Sequence, residues 1–526
     1  MNALTGTGVL LRNFLRRDKW IILAWVVGIT LLYYVQAPSV DNLYATQVEF
    51  DKAAAGMEKN AAFIAMAGPA RALNTVGGQV AWQASAFGAV LAGLMSMFLI
   101  GRHTRVEEET GRDELVRSAA IGRQAPQTAA LVVALVANAV VALAVTASLL
   151  SYGLATAGSV ALGVALFLTG AVFTGIALVA AQLTDGARAM YGIAGAVIGV
   201  AYALRAVGDV GNGVLSWFSP IGWGQAMHAF SGERWWPALL LVAGAVVATI
   251  AGYVVFARRD IGSGVYAARP GPARAGSDLH SALGLAWKLQ RGSLIGWGIG
   301  IFLFAMSYGS IGNSIGDLIG DSDAAREMFS TSGAGLIDGF YAAAVLMLAL
   351  FVTAFAVSSA LRPRGEEDAG RVEVLLATAI PRNRWLLGHM LITTLGVVLL
   401  VLLAGFGLGL GYALAVGDGA RITELTLAAL PYAAPVLVIA GIARLLFGVA
   451  PRWAGLAWLA LGYCVVVMFF GELLKFPDWS LNLSPFTHLA LVPAEGFELL
   501  PFVALLALAA ALSAIGQIAF RRRDVH

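Results

Sequence analysis

Twelve apolar stretches, each long enough to cross a membrane, constrain this sequence more than any other feature. A helix of roughly 20 apolar residues crosses the ~30 Å hydrocarbon core of a bilayer. In lipid the backbone must satisfy its own hydrogen bonds, so such stretches form helices. The sequence therefore predicts an all-α, polytopic membrane protein with twelve transmembrane helices. The predicted spans cover residues 20–36, 79–101, 127–150, 160–183, 189–207, 238–257, 293–310, 339–361, 386–414, 428–449, 454–471 and 500–520.

The composition agrees with a membrane protein. Of the 526 residues, 59% are hydrophobic and 12% are charged, whereas soluble domains carry about 25% charged residues. The single cysteine, Cys464, lies within a predicted span and excludes an internal disulfide. No clear cleavage site follows the first apolar stretch, which predicts a retained span rather than a signal peptide.

The basic residues predict the orientation of the chain. An even number of spans places both termini on one side, and positive residues concentrate on the cytoplasmic side. With cytoplasmic termini, one of the 34 Lys and Arg residues, Arg444, lies within a span and most of the others lie inside. The basic residues then left outside are Lys52, Lys59, Arg71, Arg205, Arg234, Arg326, Arg421 and Lys475. We therefore predict a multi-pass protein of a bacterial plasma membrane with both termini in the cytoplasm.

The two halves of the sequence resemble each other. A polar motif at Glu107–Leu115 reappears without a gap at Glu366–Val374, about 260 residues later, each time between the second and third spans of a half. Each half begins and ends on the same side, which is typical of parallel repeats facing each other across a central pathway. Further matches are Ser219-Pro220 with Ser484-Pro485 and Arg258-Arg259-Asp260 with Arg522-Arg523-Asp524. The predicted organisation is two parallel six-helix repeats, 1–260 and 282–526, joined by a cytoplasmic linker at 261–281.

The repeated motif, hereafter the first and second polar segments, is predicted to form a charged helix that docks onto a soluble partner. Acidic residues begin each copy and basic residues end it, an order that complements the helix dipole. Small or apolar residues such as Leu115 and Val374 form a narrow stripe suited to a groove on another protein. A solvated charged connection is the alternative. The predicted docking residues are Glu107, Glu108, Glu109, Gly111, Arg112, Glu114, Glu366, Glu367, Asp368, Gly370, Arg371 and Glu373.

Nothing in the sequence predicts an enzyme. None of the five lysines stands between glycine and Ser or Thr, so no phosphate-binding P-loop is present. The six histidines lack metal-ligand spacing, and a Gly-x-Ser-x-Gly elbow is absent. The chain is therefore expected to use neither a metal nor a cofactor of its own. Arg444 is the one candidate for an ionisable group near mid-membrane, and snorkelling to the interface explains it equally well.

On these residues the chain resembles the ABC-2 type permeases. The resemblance rests on two six-span halves, a basic amphipathic stretch before each first span (10–19 and 283–291), and the segments around Gly111-Arg112-Asp113-Glu114 and Gly370-Arg371-Val372-Glu373. It is strongest to actinobacterial permeases for polyketide antibiotics of the tetronasin-resistance kind. The resemblance implies the type V exporter fold and two copies of a cytoplasmic ATPase subunit that binds ATP and Mg. Val372, Val374 and Leu376 replace Asp113, Leu115 and Arg117, so the two docking sites are expected to differ.

The same resemblance implies a substrate pathway along the second and fifth spans of each half. Aromatic and Met side chains there suit bulky apolar compounds, although ordinary packing is the alternative. The candidates are Trp82, Phe87, Met95, Phe98, Tyr191, Tyr202, Phe340, Tyr341, Met347, Phe351, Trp458 and Tyr463. Aromatic-rich loops around Ser219, Pro220, Ser484 and Pro485, with the long segments 38–78 and 310–338, predict an outer gate or interfacial anchoring.

These observations predict the permease subunit of an ATP-driven exporter of hydrophobic or amphiphilic compounds, such as antibiotics. An exporter of lipid or cell-envelope precursors is the alternative with the same energy source. An ion-coupled secondary carrier is the alternative of another class, disfavoured because carboxylates near mid-membrane are scarce. The expected partners are the ATPase subunits, the lipid bilayer and the hydrophobic substrate, and no nucleic acid.

Overall fold

A computed structural model describes residues 2–41, 46–58, 61–260, 262–266, 281–310, 336–470 and 476–524, with isolated positions 273, 274, 276 and 279. Within them twelve helices are long and apolar enough to cross a membrane, which confirms the all-α architecture and the number of spans. Spans 1 to 12 are Thr7–Asp41, Val76–His103, Ala125–Ser151, Thr156–Leu183, Ala187–Val210, Pro237–Arg258, Ala282–Gly309, Leu336–Ala360, Arg382–Val416, Ala420–Val449, Pro451–Met468 and Leu499–Arg522. Most of the linker 261–281 and of the segment 310–338 lies outside the described residues.

Shorter helices connect the spans. Among the described residues, those outside the polar segments are Gln47–Glu58, Ala61–Ala67, Leu215–Phe218, Pro220–Gln225, Asp478–Leu481 and Pro485–His488. Span 10 contains a 3₁₀ turn at Leu430–Tyr432, where Pro431 lacks the amide hydrogen that a regular α-helix requires. Span 11 begins with the 3₁₀ helix Pro451–Leu456.

The described residues form two compact units, the first carrying spans 1–6 and the second spans 7–12. In the first unit span 1 packs along span 3, and span 4 packs along span 6 and beside span 2. In the second unit span 7 packs along span 9, and span 10 packs along span 12. Each unit therefore holds its first and third spans as one pair and its fourth and sixth as another.

Small residues allow the paired spans to approach closely. Between spans 10 and 12, a Cβ atom added at Gly448 would clash with the backbone oxygen of Gly516. Close packing of this kind drives helix association in membranes, because apolar side chains gain little there from leaving lipid. The pairing of spans 10 and 12 consequently fixes where the end of span 12 lies, and that end carries Arg523.

The first span of each unit is one continuous helix with the basic stretch that precedes it. Span 1 runs unbroken for 35 residues, and span 7 begins at Ala282, where Ser281 caps its first turn. The expected amphipathic helices at 10–19 and 283–291 are therefore not separate elements. They are the N-terminal turns of spans 1 and 7.

On the predicted outer side of the first unit, side chains from the spans fasten the helix Ala61–Ala67. Arg205 of span 5 is fully buried and donates to the backbone oxygens of residues 64, 65 and 66 at 3.4, 2.8 and 3.0 Å. Tyr202 Oη donates to the Met66 oxygen, and Trp82 Nε1 to the Gly68 oxygen, each at 2.7 Å. The oxygens of residues 65 and 66 lie in the last turn of this helix, whose carbonyls lack regular intrahelical partners.

Candidate functional site

Each polar segment consists of two short helices joined at a glycine. Gly111 has φ of 71° and Gly370 has φ of 67°, a left-handed conformation that commonly ends a helix at glycine. The prediction of one continuous docking helix is therefore wrong, because the chain turns at these glycines. The four helices are Arg105–Glu109 and Arg112–Arg117 in the first segment, and Arg362–Asp368 and Arg371–Leu376 in the second.

Replacing either hinge glycine, Gly111 or Gly370, with alanine is predicted to destabilise its polar segment. The left-handed conformation costs a residue with a Cβ about 1–2 kcal/mol, and asparagine tolerates it better than alanine. A Cβ at Gly111 or Gly370 would meet nothing within 4 Å, so the cost comes from the backbone alone. We expect faster hydrogen exchange across 105–117 in G111A, and a smaller change in G111N.

Gly365 supplies the matched control. It lies within the helix Arg362–Asp368, and a Cβ there would also meet nothing within 4 Å. Alanine is the better helix former by about 1 kcal/mol, so G365A should protect the second segment where G370A loosens it. Equal exchange in G365A and G370A would contradict the assignment of Gly370 as the turn.

The acidic run of the first segment is largely turned inward, toward basic groups and a backbone amide of its own unit. Glu107 pairs with Arg17 of span 1 at 2.7 Å. Glu108 receives two hydrogen bonds from Arg259, at 2.6 and 3.1 Å, and one from Arg105 at 2.9 Å. A Glu109 oxygen accepts the backbone amide of Ala187, at the start of span 5, at 3.1 Å.

The acidic run of the second segment has a similar arrangement. Glu367 receives two hydrogen bonds from Arg523, at 2.6 and 2.7 Å. Glu366 lies 2.8 Å from Arg362 and 2.5 Å from Arg371, and Asp368 pairs with Arg364 on the surface at 2.7 Å. Because the side chains of Glu366 and Glu367 are buried and paired with arginines, these two carboxylates are not free to contact a partner protein.

A bidentate Glu–Arg pair therefore joins each polar segment to the last span of its unit. We call Glu108–Arg259 the first clamp and Glu367–Arg523 the second clamp. Side-chain exposure is 7% and 3% in the first clamp and 4% and 17% in the second. Paired N–H···O bonds of this kind fix orientation as well as distance.

A second arginine, at or just before the start of the third span of each unit, supports each clamp. Arg123 donates to the backbone oxygen of Arg259, and Arg382 to that of Arg523, both at 2.8 Å. The guanidinium of Arg259 lies 5.3 Å from the Phe256 ring centre, and that of Arg523 lies 5.1 Å from the corresponding ring, Phe520. Each clamp is thus held in place by a carbonyl contact and a cation–π contact.

The residues that follow the glycine of each segment include exposed charged and apolar side chains. In the first segment Arg112, Glu114 and Leu115 are exposed, and Leu115 shows 75% of its surface. The matching residues of the second segment, which include Val374 at 71%, are also exposed. We call these surfaces the first and second tips. Each combines one basic, one acidic and one apolar side chain.

The differences between the two copies lie mostly on the buried side. Asp113 is 6% exposed and binds Arg117 at 2.5 Å. Val372 is fully buried and packs in a cluster that includes Trp385 and Phe520. In the second segment the apolar residues Val372 and Leu376 therefore replace the ion pair of Asp113 and Arg117. The exposed tips keep the same chemical character.

The residues predicted to line a pathway have varied surroundings. Trp82, Met95, Phe340 and Tyr341 are buried; Phe98, Phe351 and Trp458 are exposed; Phe87, Tyr191, Tyr202, Met347 and Tyr463 are half-buried. Spans 2 and 5 bring their members together, with Phe98 5.4 Å from Tyr191 and Phe87 6.4 Å from Tyr202 between ring centres. Besides Trp82 and Tyr202, two more donate to backbone oxygens: Tyr341 to Gly309 at 2.7 Å and Tyr463 to Ser480 at 2.5 Å.

The Ser-Pro pairs predicted at an outer gate begin short helices. Ser219 is fully buried and its oxygen accepts the amide of Ile221 at 3.2 Å, with Pro220 in the first turn. Ser484 accepts the amide of Phe486 at 3.4 Å, followed by Pro485. This is the usual N-cap and first-turn proline pattern. The helix Pro220–Gln225 packs against spans 2, 4, 5 and 6.

Sequence reasoning missed the basic partners of the acidic runs. The sequence identifies Arg259 and Arg523 only as repeat markers, Arg17 only as a basic residue of the cytoplasmic side, and Arg123 and Arg382 only as basic residues that end the polar segments. The signal that could have found the clamps is the paired recurrence of the Glu-rich motif and the Arg-Arg-Asp motif, since opposite charges that recur together are candidates for contact.

Comparison with known proteins finds a matching family model and a similar full-length protein. The family model described as multidrug efflux system permease Rv1217c, C-terminal domain, matches residues 279–521. The whole chain is 40% identical over 529 aligned positions to the multidrug efflux system permease protein Rv1217c of Mycobacterium tuberculosis (strain ATCC 25618 / H37Rv), and covers 96% of that protein.

Proposed function

The chain belongs to the family of the multidrug efflux permease Rv1217c, and on that premise we propose that it is the permease subunit of an ATP-driven ABC exporter. The observation that carries the proposal is the structure of the polar segments. Each presents an exposed tip with charged and apolar side chains, while the glutamate behind the tip is clamped to the last span of the same unit. A surface that is bound by a partner and also tied to a span can pass movement into the membrane.

The proposed partner is a separate cytoplasmic ATPase subunit, present in two copies, which binds ATP and Mg²⁺. One copy contacts the first tip and the other contacts the second. Leu115 and Val374 suit apolar grooves on the partner, and the neighbouring charges set the orientation. Because the differences at positions 113 and 372 are buried, two identical partner copies can bind both tips.

The clamps give the proposed mechanism its mechanical link. ATP binding draws the two partner copies together and moves the tips with them. The first clamp ties Glu108 to the end of span 6, and the second ties Glu367 to the end of span 12. Spans 6 and 12 pack along spans 4 and 10, so movement of a tip displaces two spans of its unit together.

The proposed cargo is a hydrophobic or amphiphilic compound, including antibiotics, moved out across a bacterial plasma membrane. The relative's name includes multidrug efflux, and aromatic residues of spans 2 and 5 lie in contact in the first unit. We propose that both termini are cytoplasmic and that the units are parallel repeats of the tetronasin-like, fused kind. The matching span pairs 1–3 with 7–9 and 4–6 with 10–12 support the repeat.

Charge reversal at the tips tests the proposal. Glu114→Arg and Glu373→Arg are each expected to lower drug-stimulated ATP hydrolysis of the reconstituted complex at least tenfold. Glu114 and Glu373 are exposed, so the permease should still fold and insert. The control is Glu58→Arg, the same change at an exposed glutamate of the predicted outer side. Wild-type drug stimulation in both tip variants would overturn the proposal.

A further inference from the structure

A cavity in the second unit brings together three buried polar atoms without partners among the described residues. The cavity lies between spans 8, 9, 10 and 12, next to the second polar segment. Arg444 Nε, His389 Nε2 and Gln517 Oε1 are the three atoms, and all three side chains line the cavity. Such groups are rare in folded proteins, because burial without a hydrogen bond is costly.

Arg444 is a buried cation held by neutral groups. It is 8% exposed, so it does not snorkel to an interface. Its guanidinium donates to Ser513 Oγ at 3.1 Å, to the Met390 oxygen at 3.0 Å and to Thr394 Oγ1 at 3.2 Å. No carboxylate of the described chain pairs with it. Buried charges are normally paired, so Arg444 calls for an anion that the described chain does not supply.

His389 offers a second donor to the same cavity. It is 2% exposed, and its Nδ1 lies 3.0 Å from Gln290 Nε2. The Gln290 oxygen accepts the hydroxyl of Ser359, so the Gln290 amide nitrogen donates to Nδ1, which assigns the proton of a neutral imidazole to Nε2. Glu366 interacts electrostatically with His389, but its carboxylate is already paired with Arg362 and Arg371.

Gln517 completes the polar lining with an acceptor. Its Nε2 donates to the backbone and side-chain oxygens of Asn383, both at 3.3 Å, which leaves Oε1 without a partner. Leu386 and Phe447 form apolar walls. The cavity thus offers two donors, one of them charged, one acceptor, and apolar surface beside them.

We propose that this cavity binds an oxyanion, either free phosphate or the phosphate headgroup of an anionic lipid. Arg444 supplies the charge, His389 donates a second hydrogen bond, and Gln517 accepts from a hydroxyl of the anion or of its glycerol. The site belongs to the second unit alone, because in the 264-residue register that aligns Arg259 with Arg523, Ala180 stands in place of Arg444. The proposal does not depend on transport activity or on an ATPase partner.

Thermal unfolding of the full-length protein in nanodiscs tests the site. One arm titrates inorganic phosphate into phosphatidylcholine nanodiscs, and the other compares phosphatidylcholine with phosphatidylglycerol nanodiscs. A ligand that binds only the folded state raises the midpoint in proportion to its occupancy. We expect a rise in at least one arm, and the arm that responds identifies the source of the anion.

Arg444→Met should abolish the response or weaken the apparent affinity at least tenfold. Arg452→Met, at an exposed arginine of the same unit, should respond as the wild type does. Gln517→Glu covers the case in which the Met variant fails to fold. It places a carboxylate in the cavity beside Arg444, so it should raise the midpoint without added anion and remove the response to it. No response of the wild type in either arm, or equal responses of Gln517→Glu and wild type, would overturn the proposal.

Discussion

Arg523→Glu will lower ATP-driven transport at least tenfold while the protein remains inserted in the membrane. The substitution removes both hydrogen bonds to Glu367 and places two carboxylates together at a mostly buried position. Leaving one partner of a buried ion pair uncompensated costs about 3–5 kcal/mol, and each 1.4 kcal/mol corresponds to a factor of ten in an equilibrium. The second polar segment should therefore leave span 12. Transport by the reconstituted complex and hydrogen exchange across 362–376 measure the two effects.

A charge swap separates loss of the clamp from general damage. In the double variant Glu367→Arg/Arg523→Glu the pair can form again with opposite polarity, so most of the transport should return. In the first unit the same swap, Glu108→Arg/Arg259→Glu, should rescue poorly, because Glu108 also binds Arg105 and an arginine at 108 would face it. Full transport in the single variant Arg523→Glu would contradict a mechanical role for the second clamp.

Placing aspartate at the apolar position of both tips, Leu115→Asp with Val374→Asp, will abolish binding of the ATPase subunit. Leu115 and Val374 are 75% and 71% exposed, and such surface substitutions usually change folding stability by less than 0.5 kcal/mol. At a partner interface, however, losing a central anchor costs about 2 kcal/mol or more. Each single variant should therefore weaken binding about thirtyfold, and the double variant should not bind detectably in co-purification.

Val265→Asp is the matched control for the tips. Val265 is 52% exposed and lies after the end of span 6, in the first unit. Aspartate there adds the same charge without touching a tip, so the ATPase subunit should still co-purify with the variant. Binding of the double tip variant at wild-type affinity would show that the partner contacts another surface.

The spans could be predicted from the sequence, because their cause is local. Span 12 was predicted at 500–520 and runs from Leu499 to Arg522, since an uninterrupted apolar stretch in lipid has no stable alternative to a helix. Helix breaks within polar stretches were harder. The order of charges around Gly111 favoured one helix, while the backbone preference of a single glycine ended it at Glu109.

The clamps could not be predicted from local pattern, because their partners are far apart in the sequence. Arg259 lies 151 residues from Glu108, and Arg523 lies 156 residues from Glu367. A run of three acidic residues is typical of a solvent-exposed helix face, and its burial cannot be inferred without the position of its arginine partners. For the same reason the sequence could not decide whether Arg444 snorkels to the interface, since the groups that bury it come from spans 9 and 12.

Transport by the purified chain in sealed vesicles, with and without the ATPase subunit, distinguishes an ATP-driven permease from a gradient-driven carrier. We expect no drug movement by the permease alone under an imposed proton or sodium gradient, and movement that requires ATP hydrolysis once the ATPase is added. Gradient-driven movement by the chain alone, at the rate of the complete complex, would contradict this expectation.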